Sequence, residues 1–223
     1  MRKMLRGMAV VAALCTASAS QAATIVFGSN AGDIGASQKT YSSGPYSVFA
    51  TGCTNLVGLT CSFTHIYEKS GGSDESGVGL ANDPQGQGEI WNDQSGGVNA
   101  IVLDVAGLSG AASASFVMNS VTDGEDFNVL AYDTSTSAWV KLFTGSADGT
   151  YALPGFGTYE LYAFTTDGTV TAGKPNSFGN VLLSAIVIPD VPEPATWAMM
   201  LLGFGGIGLA MRRRPTVKIA QVA

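Results

Sequence analysis

The feature that most limits what this chain can become is a punctuated rhythm. Short apolar or β-branched clusters recur about every ten residues: TIVFG, YSVFATG, CSFTHIYE, GVGLA, EIW, VNAIVLDVAGL, ASASFVMNSVT, DFNVLAYDT, AWVKLFTG, TYELYAFTT and NVLLSAIVI. Turn-forming pieces separate them, among them SSGP, KSGGSDESG, NDPQGQG, TDGED, SADGT, LPGFG, TTDG and AGKPNS. Within IVLDV, Ile101, Leu103 and Val105 alternate with Val102 and Asp104. That period gives a strand one wholly apolar face and one partly polar face. No long helical period precedes residue 195. Short strands at this spacing predict an all-β fold, an antiparallel β-sandwich of jelly-roll-like kind, as one domain over residues 23–190.

Composition points outside the cytoplasm. Glycine numbers 29 and charged residues make up only 13% of the chain, which suits a β-rich exported protein. The N-terminus agrees: Arg2, Lys3 and Arg6 precede an apolar stretch from Met8 to Leu14 and a small-residue end at Ser20-Gln21-Ala22. These are the parts of a secretory signal peptide, residues 1–22, whose apolar core is too short to span a bilayer. Cys15 follows Leu14, where lipidation needs a small residue, so it leaves with the leader.

Two cysteines then remain, Cys53 and Cys61, and outside the cytoplasm a disulfide is their default state. The seven residues between them, TNLVGLT, can form a hairpin loop. A metal site is the alternative, since His65 follows closely, but it needs reduced thiols and a fourth ligand. Residues 24–188 carry four basic and fifteen acidic side chains, a net charge of −11. Such a body repels nucleic acid, which we exclude as a partner.

The residues that could carry chemistry are few. His65 is the sole histidine, centred in a strand pattern, and no serine has a nucleophile motif around it. A strand histidine packed among neighbours is the plainer reading. Carboxylates are richer: Asp74, Glu75, Asp83 and Glu89 lie on loops flanking two short strands, an oxygen-donor set of the kind Ca²⁺ takes. The EF-hand order is missing, and the same acids serve equally as solvated turns. Two of them at the right separation would also permit glycoside hydrolysis, without any cleft motif to support it. Aromatics offer a binding alternative. Trp91, Trp139 and Tyr132, with Tyr159 and Tyr162, lie in or beside strands and would make a platform for sugar rings if exposed together; in a sandwich most such rings are core. The run Gly203-Phe204-Gly205-Gly206-Ile207-Gly208 lacks the preceding strand and the Lys-Ser/Thr pair of a phosphate loop. Gly206 and Ala210 are instead a small-residue pair at membrane-helix spacing. On balance we expect no enzyme.

The C-terminal segment is the most specific part of the chain. From Ala195 to Met211 there are 17 uncharged residues, about 25 Å of helix at ~1.5 Å per residue, near the lower limit for a bilayer crossing. Arg212, Arg213 and Arg214 would fix the end, residues 215–223, on the cytoplasmic side. Pro192 and Pro194 keep the residues before them extended. The order Pro192-Glu193-Pro194, then Trp197-Ala198, an apolar helix 195–211 and an arginine cluster closely resembles the PEP-CTERM sorting signal in its PEPxxWA form, over residues 191–214. That resemblance implies a Gram-negative bacterium, an exosortase that recognises the triplet, a transient inner-membrane anchor, and delivery to the cell surface or matrix. The family is associated with exopolysaccharide and biofilm. The body, through Tyr67-Glu68-Lys69, Gly77-Val78-Gly79-Leu80, Asn82-Asp83-Pro84 and Glu89-Ile90, looks like small sandwich domains found in such exported proteins. That likeness supports the fold class and assigns no activity; our own expectation is a non-enzymatic structural or adhesive protein, with a carbohydrate-binding module, calcium-supported or not, as the alternative.

Overall fold

The alternation of IVLDV is realised in space: Ile101 and Leu103 are fully buried, while Val102 and Asp104 on the opposite face are half-buried. The computed structural model describes residues 22–28, 32–72, 75–83, 86–91, 98–122, 125–166, 180–189 and 200–208. The chain divides into two units, and residues 21–189 form the one that holds the strands.

Fourteen strands follow one another along it: β1 (Ala23–Val26), β2 (Gly32–Asp33), β3 (Gln38–Ser43), β4 (Tyr46–Val57), β5 (Thr60–Phe63), β6 (Ile66–Gly71), β7 (Glu75–Leu80), β8 (Ala100–Asp104), β9 (Ser115–Asn119), β10 (Phe127–Asp133), β11 (Ala138–Gly145), β12 (Gly149–Ala152), β13 (Leu161–Thr166) and β14 (Leu182–Ile188). They form two seven-stranded sheets, antiparallel throughout. The first runs β12-β9-β14-β7-β6-β2, with β1 also paired to β14; the second runs β11-β10-β13-β8-β4-β3, with β5 also paired to β4. Fourteen strands exceed the eight of a simple jelly roll.

The two sheets share one hydrophobic core. Phe116 of β9 in the first sheet meets Phe164 of β13 and Phe127 of β10 in the second, with ring centroids 5.3 and 6.0 Å apart and edge-to-face. Phe27, just after β1, meets Tyr41 of β3 at 4.8 Å in the same geometry. Edge-to-face pairs add about 0.5–1.5 kcal/mol each beyond the area they bury. These contacts make the arrangement sandwich-like: each sheet turns its period-two apolar face toward the other.

Two elements differ from the reading of the sequence. CSFTHIYE, expected as one strand, is two: β5 belongs to the second sheet and β6 to the first. Between them the chain exchanges partners, since the Thr64 amide bonds Gly52 O (3.0 Å) while the Ile66 amide bonds Ala36 O (2.9 Å). YSVFATG, conversely, is only the first part of the twelve-residue β4. Helix is scarce among the described residues, as expected: a 3-10 turn at Ala106–Leu108 and a helical stretch at 200–208.

Candidate functional site

Strand periodicity places the neighbours Glu68 and Lys69 on opposite faces of β6, and each nucleates a polar cluster. Glu68 points into the core and is fully buried. Its Oε1 accepts from the Tyr41 hydroxyl at 2.7 Å and pairs with the Lys39 ammonium, which also lies 4.8 Å from the Tyr41 ring centroid. Burial, and then the Glu68 carboxylate, push the Tyr41 hydroxyl far above the usual phenol range. A buried carboxylate persists only where such partners replace water.

On the other face Lys69 gathers two carboxylates. Its ammonium pairs with Glu75 and lies 2.6 Å from Glu89 Oε1. The Ser120 hydroxyl sits 3.1 Å from Glu75 Oε1 and 2.9 Å from Glu89 Oε1. Glu89 is almost wholly buried. Burial raises its carboxyl above the ordinary carboxylate value, and the Lys69 and Ser120 contacts only partly oppose that. For Lys69, burial works against the charge, but bonding to Glu75 and Glu89 outweighs it and holds the ammonium above its usual range.

Glycines let this cluster assemble. A side chain on Gly79 would meet Gly88 O at 2.3 Å, and one on Gly88 (φ +72°) would enter the Tyr67 ring at 2.1 Å. The segment carrying Glu89 can therefore lie against β7, where Glu89 O accepts from Leu80 N (3.3 Å) and Ile90 exchanges two backbone bonds with Val181 (2.9 and 3.1 Å). The sequence pattern Tyr67-Glu68-Lys69, Gly77-Val78-Gly79-Leu80, Glu89-Ile90 is thus one structural knot.

The calcium set resolves differently from its expectation. Glu75 and Glu89 do converge, but on the Lys69 ammonium, which fills the place a cation would take. Asp83 instead accepts from Gln87 N at 3.0 Å in a local turn. Asp74 lies outside the described residues. Among the described residues no group of three or more His, Cys, Asp or Glu side chains is placed to hold a metal ion. Ser120 was not singled out from sequence, and Lys69 entered only within the Tyr67-Glu68-Lys69 pattern; the signal was that a body so poor in cations places one in a strand facing the acidic loops.

The aromatic set divides. Trp91 and Tyr162 belong to the core and form no platform. Tyr132 and Trp139 come together on the outer face of the second sheet as register partners of β10 and β11, edge-to-face at 5.4 Å. Trp139 Nε1 donates to Gly58 O, tying that strand pair to the β4–β5 hairpin. Beside Tyr132 opens a cavity of about 400 Å³, lined by Tyr132, Asp133, Thr134, Tyr159, Glu160 and Leu161 among others. A second, of about 260 Å³, shares Tyr159 and Glu160; a third, of about 210 Å³, shares Leu161 and is walled by Trp139, Phe63 and Leu59. Tyr159 and Glu160 border the first two and Leu161 borders the first and third, so the three hollows are neighbours, and together we call them the trough. Asp133 is fixed there by Ser135 Oγ (2.6 Å), Ser135 N (2.8 Å) and Thr136 Oγ1 (3.0 Å), which hold its carboxyl below the usual range.

Cys53 and Cys61 form the expected disulfide, Cα atoms 5.5 Å apart. A disulfide leaves no thiolate for metal, so the alternative site with His65 is withdrawn. His65 is not a half-buried strand residue: it stands at the corner between β5 and β6, half-exposed, with Nδ1 3.1 Å from Asp33 Oδ2. The Gly35 amide, and then His65, hold the Asp33 carboxyl below its usual range.

The C-terminal expectations fall mostly outside the described residues: Pro192, Glu193, Pro194, Trp197, Ala198 and Arg212 to Arg214 all lie there, as does the leader up to residue 21. Helix is described at 200–208, nine of the seventeen residues expected, and among the described residues no helix is long and apolar enough to cross a membrane. Residues 190–214 match the family model of the PEP-CTERM protein-sorting motif. The chain carries a PEP-CTERM sorting motif. The motif marks an exported protein processed by an exosortase, with transient membrane anchoring in a Gram-negative bacterium. No curated protein and no solved structure matches the chain. The PEP-CTERM match lies on the segment that follows β14.

Proposed function

We infer that the chain is a non-enzymatic exported protein: a signal peptide sends it across the inner membrane, an exosortase cuts it near Pro192-Glu193-Pro194, and the β-sandwich passes to the cell surface or matrix. There it serves a structural or adhesive role within exopolysaccharide. The observation that carries this reading is the PEP-CTERM match at residues 190–214, directly after a strand-bearing unit that ends at residue 189. The non-enzymatic part is supported by how the reactive groups are engaged. Glu75 and Glu89 bond Lys69 and Ser120, and His65 faces solvent against Asp33.

Intact-mass measurement of the protein from hosts with and without the exosortase tests the sorting. We expect loss of the segment after the triplet only when the enzyme is present, and no loss for a Pro192→Ala/Pro194→Ala variant. Equal masses in both hosts would end this reading.

A second reading is carbohydrate binding by the same domain. It is favoured by the cavity of about 400 Å³, which sets tyrosines, hydroxyls and carboxylates around open space. Of the acids first considered for calcium, Glu75 and Glu89 converge on the Lys69 ammonium instead.

A further inference from the structure

The trough on the second sheet is built differently from the knot around Lys69, because Tyr159, Glu160 and Thr158 border open space. We propose that this trough binds a linear oligosaccharide of neutral or amino-bearing sugars, with Tyr159 as the stacking ring and Glu160 as the acceptor that sets ligand charge. The proposal rests on the carbohydrate reading above and adds to it the site, the shape and the charge of the ligand.

Shape comes first. A volume of about 400 Å³ falls within the range of small-molecule sites, roughly 300–1,000 Å³. Two smaller hollows adjoin it, one sharing Tyr159 and Glu160 and the other sharing Leu161, which leaves room beside the first for further sugar units. Sugar rings alternate an apolar face with hydroxyl rims. The walls answer both, with Tyr132, Tyr159 and Leu161 for the faces and Thr134, Thr158 and Glu160 for the rims.

Charge sets the class. Among the described residues neither lysine nor arginine lines any of the three hollows, whereas Asp133 and Glu160 both line the first. With a body at −11 behind them, uronic-acid polymers are repelled and amino groups attracted.

Pre-organisation supplies the third argument. Tyr159 sits on a turn whose Gly155 has φ +66°, and a Cβ there would lie 2.8 Å from the Tyr159 ring. Only glycine lets the ring settle onto the turn. The amides of Thr158 and Tyr159 both bond Gly155 O, at 2.9 and 3.3 Å, and the buried Tyr162 meets the Tyr159 ring edge-on at 6.4 Å. Tyr132 is braced by Trp139. Rings held this way lose little freedom on binding, which favours affinity.

The test is calorimetric titration of the full-length chain, in detergent, with chitosan hexamer, cellohexaose and polygalacturonate. We expect the first two to bind and polygalacturonate not to. Tyr159→Ala should weaken binding at least tenfold, and Glu160→Gln should weaken the amino-bearing hexamer more than cellohexaose; Glu160 is exposed, so that variant folds normally. Preference for polygalacturonate would overturn the charge assignment. Binding that survives both substitutions would overturn the site while leaving carbohydrate recognition standing. Absence of binding to all three would overturn both, and exosortase-dependent mass loss measured alongside would show that sorting is unaffected.

Discussion

The knot around Lys69 and the trough beside Tyr159 contain much the same inventory of carboxylates, hydroxyls and aromatic rings, yet they are opposite kinds of place. In the knot each charge meets another side chain: one ammonium serves Glu75 and Glu89, and Ser120 touches both. In the trough Asp133 is held by Ser135 and Thr136, but Tyr159 and Glu160 border open space. Residue type therefore does not separate a scaffold from a site; what separates them is whether the protein or the solvent supplies the partners.

The comparison can be pressed hardest at Lys69. Replacing it in Lys69→Met leaves Glu89 buried without its cation, and breaking a buried pair in this way costs about 3 kcal/mol. The urea midpoint should fall accordingly, while glycan titration of the trough stays unchanged. The pH dependence of the same site follows from the raised Glu89 carboxyl. Between its ordinary value and its folded value the native state keeps a proton that the unfolded chain has lost, so stability declines as pH rises through that window. Glu89→Gln should abolish that part of the slope, and parallel pH–stability curves for the two proteins would contradict it.

A smaller effect is expected from the disulfide that borders the trough. Cys53→Ala/Cys61→Ala removes a short-loop constraint worth about 2.5 kcal/mol in the chain-entropy account. Because the hairpin it staples bonds Trp139, the variant should lose glycan affinity as well as stability, unlike the Lys69 variant. The mildest change is Gly155→Ala, which introduces a Cβ at a positive φ and against Tyr159, at about 1–2 kcal/mol. Its stability loss should be the least of the three, with weakened binding as its signature.

Much of the scaffold was legible in the sequence because it obeys local rules. The period of two in IVLDV, the turn clusters and the cysteine spacing each act within a few residues. β3 escaped notice because QKTYSS reads as polar; its inward residues Lys39 and Tyr41 are there to meet Glu68, twenty-nine and twenty-seven residues later. The knot was hidden for the same reason. Glu75 and Glu89 reach Lys69, and Ser120 reaches both acids, only once β6, β7 and β9 lie in one sheet, and no local pattern announces that. The acids of the loops were visible as candidates, but their engagement by a lysine was not. The rings were visible too, and packing alone decided that Trp91 would be core while Tyr132 and Trp139 would flank a cavity.

One pairing has a consequence for the order of events. Among the described residues β1, the first strand, pairs only with β14, the last: Ala23 lies opposite Ile188, and β14 also holds β9 on its other flank and touches β7. Until residue 188 has emerged, the first sheet lacks its middle and β1 has no partner. The first sheet is thus a clasp that shuts from its two ends, since its first and last strands close on each other and the sorting triplet begins four residues after β14 ends in the sequence.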